Sequence, residues 1–89
     1  MPRHLRPSPD VVFQELDGEV VLVHLKTNSV YSLNATGARL WELLVAGHDT
    51  AQIRGILTEE YEVDPTLLAR EVDSLVDDLA TENLVSYDE

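Results

Sequence analysis

The feature that most constrains the fold is a dipeptide, Asp17-Gly18, which separates two runs of strand-forming residues. Asp-Gly is a strong signal for a two-residue β-hairpin turn, because Gly adopts positive φ without steric cost. The flanking runs are Val11 to Leu16 and Glu19 to Leu25, and a second turn, Lys26 to Ser29, leads to a short third run, Val30 to Leu33. The sequence therefore predicts a three-stranded antiparallel meander with the second run in the centre. Both faces of that run are apolar, which predicts that it is covered on both sides.

Three helices are predicted after the meander. Asn34 is suited to cap a first helix from Ala35 to Ala46, and Thr50 to cap a second. Asp64-Pro65 is a cap followed by a first-turn proline, and the third helix is predicted to run from there to about Glu82. The predicted fold class is therefore α+β: a winged helix-turn-helix-like domain in which a three-stranded antiparallel sheet is followed by a three-helix bundle.

The length of 89 residues is enough for one domain. Residues 1–10, which contain three prolines and two arginines, are predicted to be an irregular N-terminal lead-in, and residues 11–89 a single domain. The final apolar pair, Leu84-Val85, is expected to close against the core or to add a short strand. No apolar run approaches the roughly 20 residues of a membrane span, and there is no cysteine. We therefore expect a cytoplasmic protein without disulfides.

The formal net charge is −11, from 17 acidic and six basic residues. Nucleic-acid binding draws much of its affinity from Lys and Arg contacts to phosphates, and anionic membranes attract the same residues. The third predicted helix would enter the DNA groove in a helix-turn-helix protein, yet it carries six acids against Arg70 alone. We therefore expect no nucleic-acid partner and no membrane partner, and a basic or neutral partner instead.

Residues suited to catalysis or metal binding form no pattern in this sequence. The three histidines, His4, His24 and His48, stand in the lead-in, a strand and a turn, and none has another metal ligand four residues away. The four glycines are isolated, so there is no phosphate-binding loop, and the serines have no plausible His–Asp arrangement. We expect no catalysis, no cofactor and no metal ion.

The remaining candidate for a functional site is the edge of the predicted sheet. An edge strand exposes unpaired backbone groups and is a template for another strand. Pro7 and Pro9 blunt the first strand near its start, whereas the third strand, Val30 to Leu33, contains no proline and no charge. If the third helix packs beside this edge, the two form a groove. An extended peptide could pair with the backbone there and place alternate side chains in apolar pockets. The alternative is an edge that the protein's own tail covers, or that is hydrated.

Two stretches of the sequence resemble a known family. The stretch from Tyr31 to Leu44, Tyr-Ser-Leu-Asn-Ala-Thr-Gly-Ala-Arg-Leu-Trp-Glu-Leu-Leu, resembles the Tyr-x-Leu-Asn-x-Thr-Gly-Ala-x-Ile/Leu-Trp signature of PqqD-like proteins. Tyr61 to Pro65, followed by Val72 to Leu75 and Leu79, is similar to the later block of that family. The resemblance extends from about Val20 to Leu84. PqqD-like proteins are recognition elements for ribosomally synthesised and post-translationally modified peptides (RiPPs), so the resemblance implies a peptide-binding protein.

Within that family the chain looks most like the free-standing leader-binding protein of lasso peptide biosynthesis. The resemblance implies a non-catalytic adaptor that holds the leader of a precursor peptide as an added strand beside the third strand, against the third helix. It further implies delivery to a separate leader peptidase, after which a cyclase closes the macrolactam. Asn28 and Asn83 stand where glycines are common in the family, and Asn tolerates the left-handed conformation that those turns need.

The open edge and the resemblance together give a set of candidate peptide-binding residues. The segment predicted to pair with the leader through its backbone comprises Asn28, Ser29, Val30, Tyr31, Ser32 and Leu33. The candidate pocket walls are Tyr31, Leu67, Leu68, Val72 and Val76. The acids that could attract basic leader residues are Glu71, Asp73 and Asp77. Leu75, Leu79 and Trp41 are assigned to the core.

Three other functions remain open from the sequence. One is a PqqD-type chaperone for a radical-SAM enzyme in quinone cofactor synthesis, another a degenerate winged-helix transcriptional regulator, and the third a purely structural subunit. The oligomeric state is expected to be a monomer or a weak dimer. If one face of the second strand (Val20, Leu22 and His24, or the opposite set) is exposed, it is predicted to dock the peptidase or a second copy.

Overall fold

The computed structural model describes residues 4–88 and confirms the predicted α+β fold. The elements in chain order are β1 (His4–Pro7), β2 (Val11–Leu16), β3 (Glu19–His24), β4 (Val30–Leu33), α1 (Ala35–Val45), α2 (Thr50–Tyr61), α3 (Pro65–Thr81) and β5 (Val85–Asp88). Strands β2, β3 and β4 form an antiparallel sheet with β3 in the centre, as predicted. Strands β1 and β5 pair with each other in a second, two-stranded sheet.

The turns of the three-stranded sheet adopt the conformations that their residues favour. At the β2–β3 turn, Asp17 and Gly18 have φ of 51° and 81°, which is the positive-φ pair of a tight hairpin. Asn28, in the β3–β4 turn, and Asn83, between α3 and β5, both have φ of 59°. Asn is one of the few residues other than Gly that enter this region readily, so the left-handed conformation expected of both is confirmed.

Side chains at the three helix starts accept backbone N–H bonds. Asn34 caps α1 by accepting from the Gly37 N–H at 3.0 Å. Asp64 caps α3 by accepting from the Thr66 N–H at 2.8 Å, and Pro65 is the first helical residue. The prediction that Thr50 caps the second helix is wrong, because the carboxylate of Asp49 accepts the cap bond and Thr50 is already helical.

The prediction that residues 1–10 form an irregular lead-in is wrong for residues 4–7, which are strand β1. Leu5 pairs with Tyr87, and its side chain lies in the core with 1% of its surface exposed. Pro7 ends the strand, a position where a missing N–H costs little. Residues 1–3 of the predicted lead-in lie outside the described residues. The terminal pair Leu84-Val85 does both things expected of it, since each residue is buried and Val85 begins β5.

The core lies between one face of the three-stranded sheet and the helices. Val20, Leu22 and His24 point from β3 into this core, where Trp41 is 1% exposed. The alternate β3 residues point away from the helices; Val21 and Val23 are half-buried and Glu19 is exposed. The prediction that β3 is covered on both sides is therefore wrong, since the described helices pack on a single face. No helix within residues 4–88 is long and apolar enough to span a membrane.

An ion-pair network ties α1 to α2. The Arg39 guanidinium donates to both carboxylate oxygens of Glu60, at 2.9 and 2.7 Å, and to Glu42 at 3.0 Å. Hydrogen bonds from Arg39 lower the pKa of the Glu60 carboxyl. The two-point contact links α2 to α1, whose first turn lines the site described next.

Candidate groove between β4 and α3

Strand β4 is an edge of the three-stranded sheet, paired with β3 on one side only. The Ser29 carbonyl accepts a hydrogen bond from the His24 N–H at 2.9 Å. Because antiparallel pairs alternate between bonded and non-bonded positions, Tyr31 and Leu33 direct their backbone groups at β3. The N–H and C=O groups of Val30 and Ser32 therefore point outward, and no strand among residues 4–88 pairs with them.

Helix α3 runs beside this edge on the core face of the sheet. Tyr31 is half-buried and packs against the core cluster. Its pKa is raised, first by burial and then by the nearby carboxylates of Asp78 and Glu82. Because Asp78 and Glu82 are at the C-terminal end of α3, the phenol lies alongside that end of the helix. We call the space between β4 and α3 the groove; it has exposed backbone on one wall and a helix face on the other.

A depression of about 270 Å³ lies at the Leu33 end of the groove. Its lining comes from the start of α1 and from α3: Asn34, Thr36, Gly37, Leu40, Glu71, Val72 and Leu75. A Cβ on Gly37 would come within 3.2 Å of Leu33 and 3.4 Å of Leu75, so Gly allows the start of α1 to approach β4 and α3 closely. The volume is below the roughly 300–1,000 Å³ of typical small-molecule sites. It is suited to one or two apolar side chains rather than to a whole cofactor.

The α3 residues predicted as pocket walls divide into three groups. Val72 is 2% exposed and lines the depression. Leu68 and Val76 are 3% and 4% exposed and do not line the depression, so their role as pocket walls stays a prediction. Leu67 is 53% exposed, one turn before Glu71 on the same side of the helix.

Leu75 departs most clearly from the interpretation made from sequence, which assigned it to the core. Its side chain is half-buried and lines the depression beside Gly37. Leu79 and Trp41, also assigned to the core, are 0% and 1% exposed and are confirmed there. The apolar stripe of α3 is wide, and the residue at its margin rather than at its centre faces the groove.

The acids near the groove differ in part from those predicted. Glu71 lines the depression, as the prediction requires. Asp73 instead forms an ion pair of 3.3 Å with Arg54 of α2, and Asp77 lies one turn further along that side of the helix. Asp78 and Glu82, which sequence reasoning missed, lie near Tyr31. The sequence could have indicated them through the spacing of residues 71, 75, 78 and 82, which share one helix face.

His24, a residue type that often binds metal ions, has a structural role here. His24 is 5% exposed, and its Nδ1 accepts from the N–H groups of Lys26 and Thr27 at 3.3 and 3.4 Å. It thereby holds the β3–β4 turn that leads into the edge strand. Among residues 4–88 no three His, Asp or Glu side chains are grouped to hold a metal ion.

Comparisons with known proteins place this geometry in a family. Residues 19–85 match the family described as coenzyme PQQ synthesis protein D (PqqD), nearly the span from Val20 to Leu84 on which the motif resemblance rests. A solved structure of TbiB1 in complex with the TbiA(beta) leader peptide is 34% identical, with a TM-score of 0.88, over 91% of this chain and 94% of that one.

A second solved structure, a lasso peptide synthetase B1 complexed with the leader peptide, is 29% identical, with a TM-score of 0.85, over 93% of this chain and 98% of that one. A search of curated proteins found no match. The resemblance to PqqD-like recognition proteins indicated by the sequence is confirmed.

Proposed function

This chain belongs to the PqqD family, and we propose that it is a non-catalytic adaptor that binds the leader of a ribosomal precursor peptide in lasso peptide biosynthesis. The leader adds as a strand to the β4 edge and packs against α3. The protein then delivers it to a separate leader peptidase in the cytoplasm, before a cyclase acts. The observation that carries the proposal is the uncharged edge at Val30 and Ser32, which faces outward beside an apolar helix wall.

The two relatives with the same fold support this proposal, because each is described in complex with a leader peptide. Their similarity extends over more than nine-tenths of this chain, so the groove lies within the shared fold. The acidic side chains of Glu71, Asp78 and Glu82 along α3 favour a leader with basic residues in the paired segment.

The expected polarity follows from the sheet, in which all neighbouring strands are antiparallel. An added strand that continues this arrangement runs opposite to β4. Its N-terminal part then lies at Leu33, next to the depression beside Gly37 and Leu75. Its C-terminal part leaves the groove at Val30, beside Glu82, and leads toward the segment of the precursor to be processed.

The expected affinity is moderate. Two or three buried leader side chains contribute about 1.5–3 kcal/mol each, and ladder hydrogen bonds about 1 kcal/mol each. Ordering a flexible leader and losing translational freedom offset at least several kcal/mol of this gain. At the upper end of these contributions the net free energy is about −8 kcal/mol, which corresponds to a Kd near micromolar. Such an affinity permits release of the processed peptide.

The test is a fluorescence-polarisation titration with a labelled leader peptide from the precursor gene adjacent to this one. We expect saturable binding near micromolar, weakened when a proline replaces a residue in the middle of the paired segment, because proline removes a ladder N–H. A scrambled leader of identical composition is the control for charge attraction alone. Equal binding of the leader and the scrambled peptide, or no binding up to about 100 micromolar, would contradict the proposal.

The family description itself favours a second candidate, a chaperone for a radical-SAM enzyme in quinone cofactor synthesis. It would use the same groove for a different precursor. The two candidates differ in their partner enzyme, so co-purification with a leader peptidase or with a radical-SAM enzyme separates them. The identities of 34% and 29% to leader-peptide complexes favour the lasso function.

A further inference from the structure

The face of the three-stranded sheet that points away from the helices is unusually apolar. We call it the outer face; its apolar members are Val12, Leu16, Val21, Val23, Leu25 and Val30. Val12, Val23 and Val30 form one row across all three strands, because Val23 pairs with both of the others. Exposed fractions of 49% for Val12, 51% for Leu16 and 65% for Val30 mean that nothing among residues 4–88 covers these side chains.

A shallow depression of about 220 Å³ crosses the part of the outer face formed by β2 and β3. A contiguous apolar surface of this kind marks an interaction site more often than single exposed apolar residues do. Sheet faces in contact with water normally carry polar residues at alternate positions. Within the three strands, the outer-face residues in that role are Gln14, Glu19 and Ser32, against five valines and leucines. The surface is therefore suited to a protein partner.

The charges around the outer face indicate which kind of partner fits it. The hairpin end carries Asp17 and Glu19, both exposed, and Glu19 shares the outer face with its cross-strand neighbour Leu16. Within residues 4–88 neither of these carboxylates forms an ion pair. A complementary partner would present an apolar centre with Lys or Arg beside it.

A second copy of this chain fits the outer face poorly. Each copy has a net charge of −11, so the association of two copies is opposed by repulsion. Three strands about 4.8 Å apart and about 20 Å long cover roughly 300 Å². A stable interface buries about 800 Å² on each side. The outer face alone is thus too small for a stable dimer, although it is adequate as part of a transient contact.

The outer face is also continuous with the leader groove, because Val30 belongs to both. A leader strand paired with β4 would extend the face by one strand and place its own alternate side chains beside Val30 and Ser32. A protein that binds the outer face would therefore lie next to the bound leader. Such a position suits the enzyme that cleaves the leader.

We infer that the outer face is the docking surface for the leader peptidase, which contacts it through an apolar patch flanked by basic residues. The inference rests on the proposed function, since it takes the partner from there. It assigns separate surfaces to the two partners: the leader is bound between β4 and α3, and the enzyme on the opposite side of the sheet.

The experiment compares Val12→Lys with Val45→Lys. Both valines are about half-exposed, at 49% and 47%, but Val12 lies on the outer face and Val45 on α1. Each purified variant is loaded with leader peptide and titrated with the leader peptidase encoded beside the precursor, and leader affinity is measured separately. We expect Val12→Lys to weaken peptidase binding about tenfold or more, with leader affinity unchanged. Val45→Lys should change neither.

A second variant, Leu16→Lys, protects the test if Val12→Lys folds poorly, because Leu16 is at the end of β2 and 51% exposed. Normal peptidase binding by a folded outer-face variant would overturn the inference while leader binding remains established. Failure of the wild-type protein to bind leader would overturn the proposed function and the inference with it. Self-association of the wild-type protein that Val12→Lys abolishes would also overturn the inference, in favour of a second copy as occupant.

Discussion

The two edges of the three-stranded sheet offer the same backbone chemistry but very different surroundings. On β4 the groups of Val30 and Ser32 point outward. On β2 the hydrogen bond from the Leu25 N–H to the Asp10 carbonyl, at 2.8 Å, leaves Phe13 and Glu15 in the equivalent position. The β4 edge has no charged residue and lies beside α3, whereas the β2 edge carries Glu15 close to the acidic turn.

Unpaired backbone is present at both edges, so the proposal that the leader binds at β4 requires a second feature that β2 lacks. Ladder hydrogen bonds replace bonds to water and are worth only about 1 kcal/mol each, so a second wall that buries side chains must supply much of the affinity. At β4 that wall is the α3 face around Leu75. At β2 every residue from Val12 to Leu16 is exposed, and Phe13 packs edge-on against Trp41, with ring centroids 5.8 Å apart.

The largest expected effect comes from placing a proline at each edge in turn. Ser32→Pro removes an outward N–H and inserts a ring where the leader backbone would lie, while the β3 ladder stays intact. We expect leader affinity to fall about 100-fold, since one lost hydrogen bond and the displaced neighbouring bonds together are worth about 2–3 kcal/mol. Fluorescence polarisation with labelled leader measures it.

Glu15→Pro is the matched control, because the Glu15 N–H also points outward, from the other edge. Leader affinity within about twofold of wild type is expected for this variant. Circular dichroism on both variants confirms that the sheet remains folded. A larger loss of leader affinity for Glu15→Pro than for Ser32→Pro would contradict the proposed contrast between the edges, because the leader would then pair with β2.

The next effect concerns the second wall of the groove. Leu75→Asn keeps the branched side-chain shape but replaces the apolar surface of the depression with an amide, so a leader side chain placed there loses apolar contacts. We expect about a tenfold loss of leader affinity, corresponding to about 1.4 kcal/mol. Ile56→Asn, at another half-buried residue packed on the core but in α2, controls for general destabilisation. Equal affinities for the two variants would remove Leu75 from the site.

A smaller effect is expected from the acids beside Tyr31. The double variant Asp78→Asn/Glu82→Gln removes two carboxylates near the groove, and leader affinity should fall a few-fold at low salt. Exposed ion pairs contribute only about 0–1 kcal/mol each and are screened by salt. The difference should therefore vanish at high ionic strength. Asp77→Asn, which removes one exposed acid on another side of α3, should have no effect; a loss of binding free energy half that of the double variant would mean that only net charge matters.

The sequence predicts most of this fold because local chemistry sets the elements involved. The hairpin follows from Asp17-Gly18, the start of α1 from the Asn34 cap and the start of α3 from Pro65, and the structure has these boundaries as predicted. Strand β1 could not be predicted, since its partner β5 lies about 80 residues away in sequence. A lone Leu5 among prolines and charged residues gives no local sign of burial.

The candidate site was harder to predict than the fold. The apolar residues of α3 at positions 68, 72, 75, 76 and 79 form a stripe wider than the groove. Their spacing shows that they share one side of the helix, but not how the helix is rotated against the sheet. That rotation depends on long-range packing, such as the contact of Gly37 with Leu33 and Leu75. The edge position of β4 was therefore predicted, whereas Leu75, Asp78 and Glu82 were not assigned to the groove; leader binding at this edge stays a prediction.

The smallest expected effect, and the most discriminating of the small ones, is a shift of the Tyr31 pKa when leader binds. Burial and the carboxylates of Asp78 and Glu82 disfavour the phenolate, so the pKa of Tyr31 is raised in the folded protein. Its contribution to stability is therefore fully present below the unfolded pKa and is lost as pH rises through the raised, folded pKa. A leader in the groove would bury the phenol further and raise this pKa, and basic leader residues beside Asp78 and Glu82 would offset only part of that rise, because burial is the larger cause. A leader at the β2 edge would leave it unchanged.

Ultraviolet difference spectra recorded from neutral to alkaline pH, with Tyr31→Phe to identify the signal, measure this pKa with and without leader. The Asp78→Asn/Glu82→Gln variant should show a lower Tyr31 pKa than wild type, but one still above the ordinary value, because burial is the larger cause. By linkage, leader binding should weaken once Tyr31 ionises. A Tyr31 pKa that does not move when leader binds would place the peptide away from α3, and the contrast between the two edges would then no longer explain where the leader is bound.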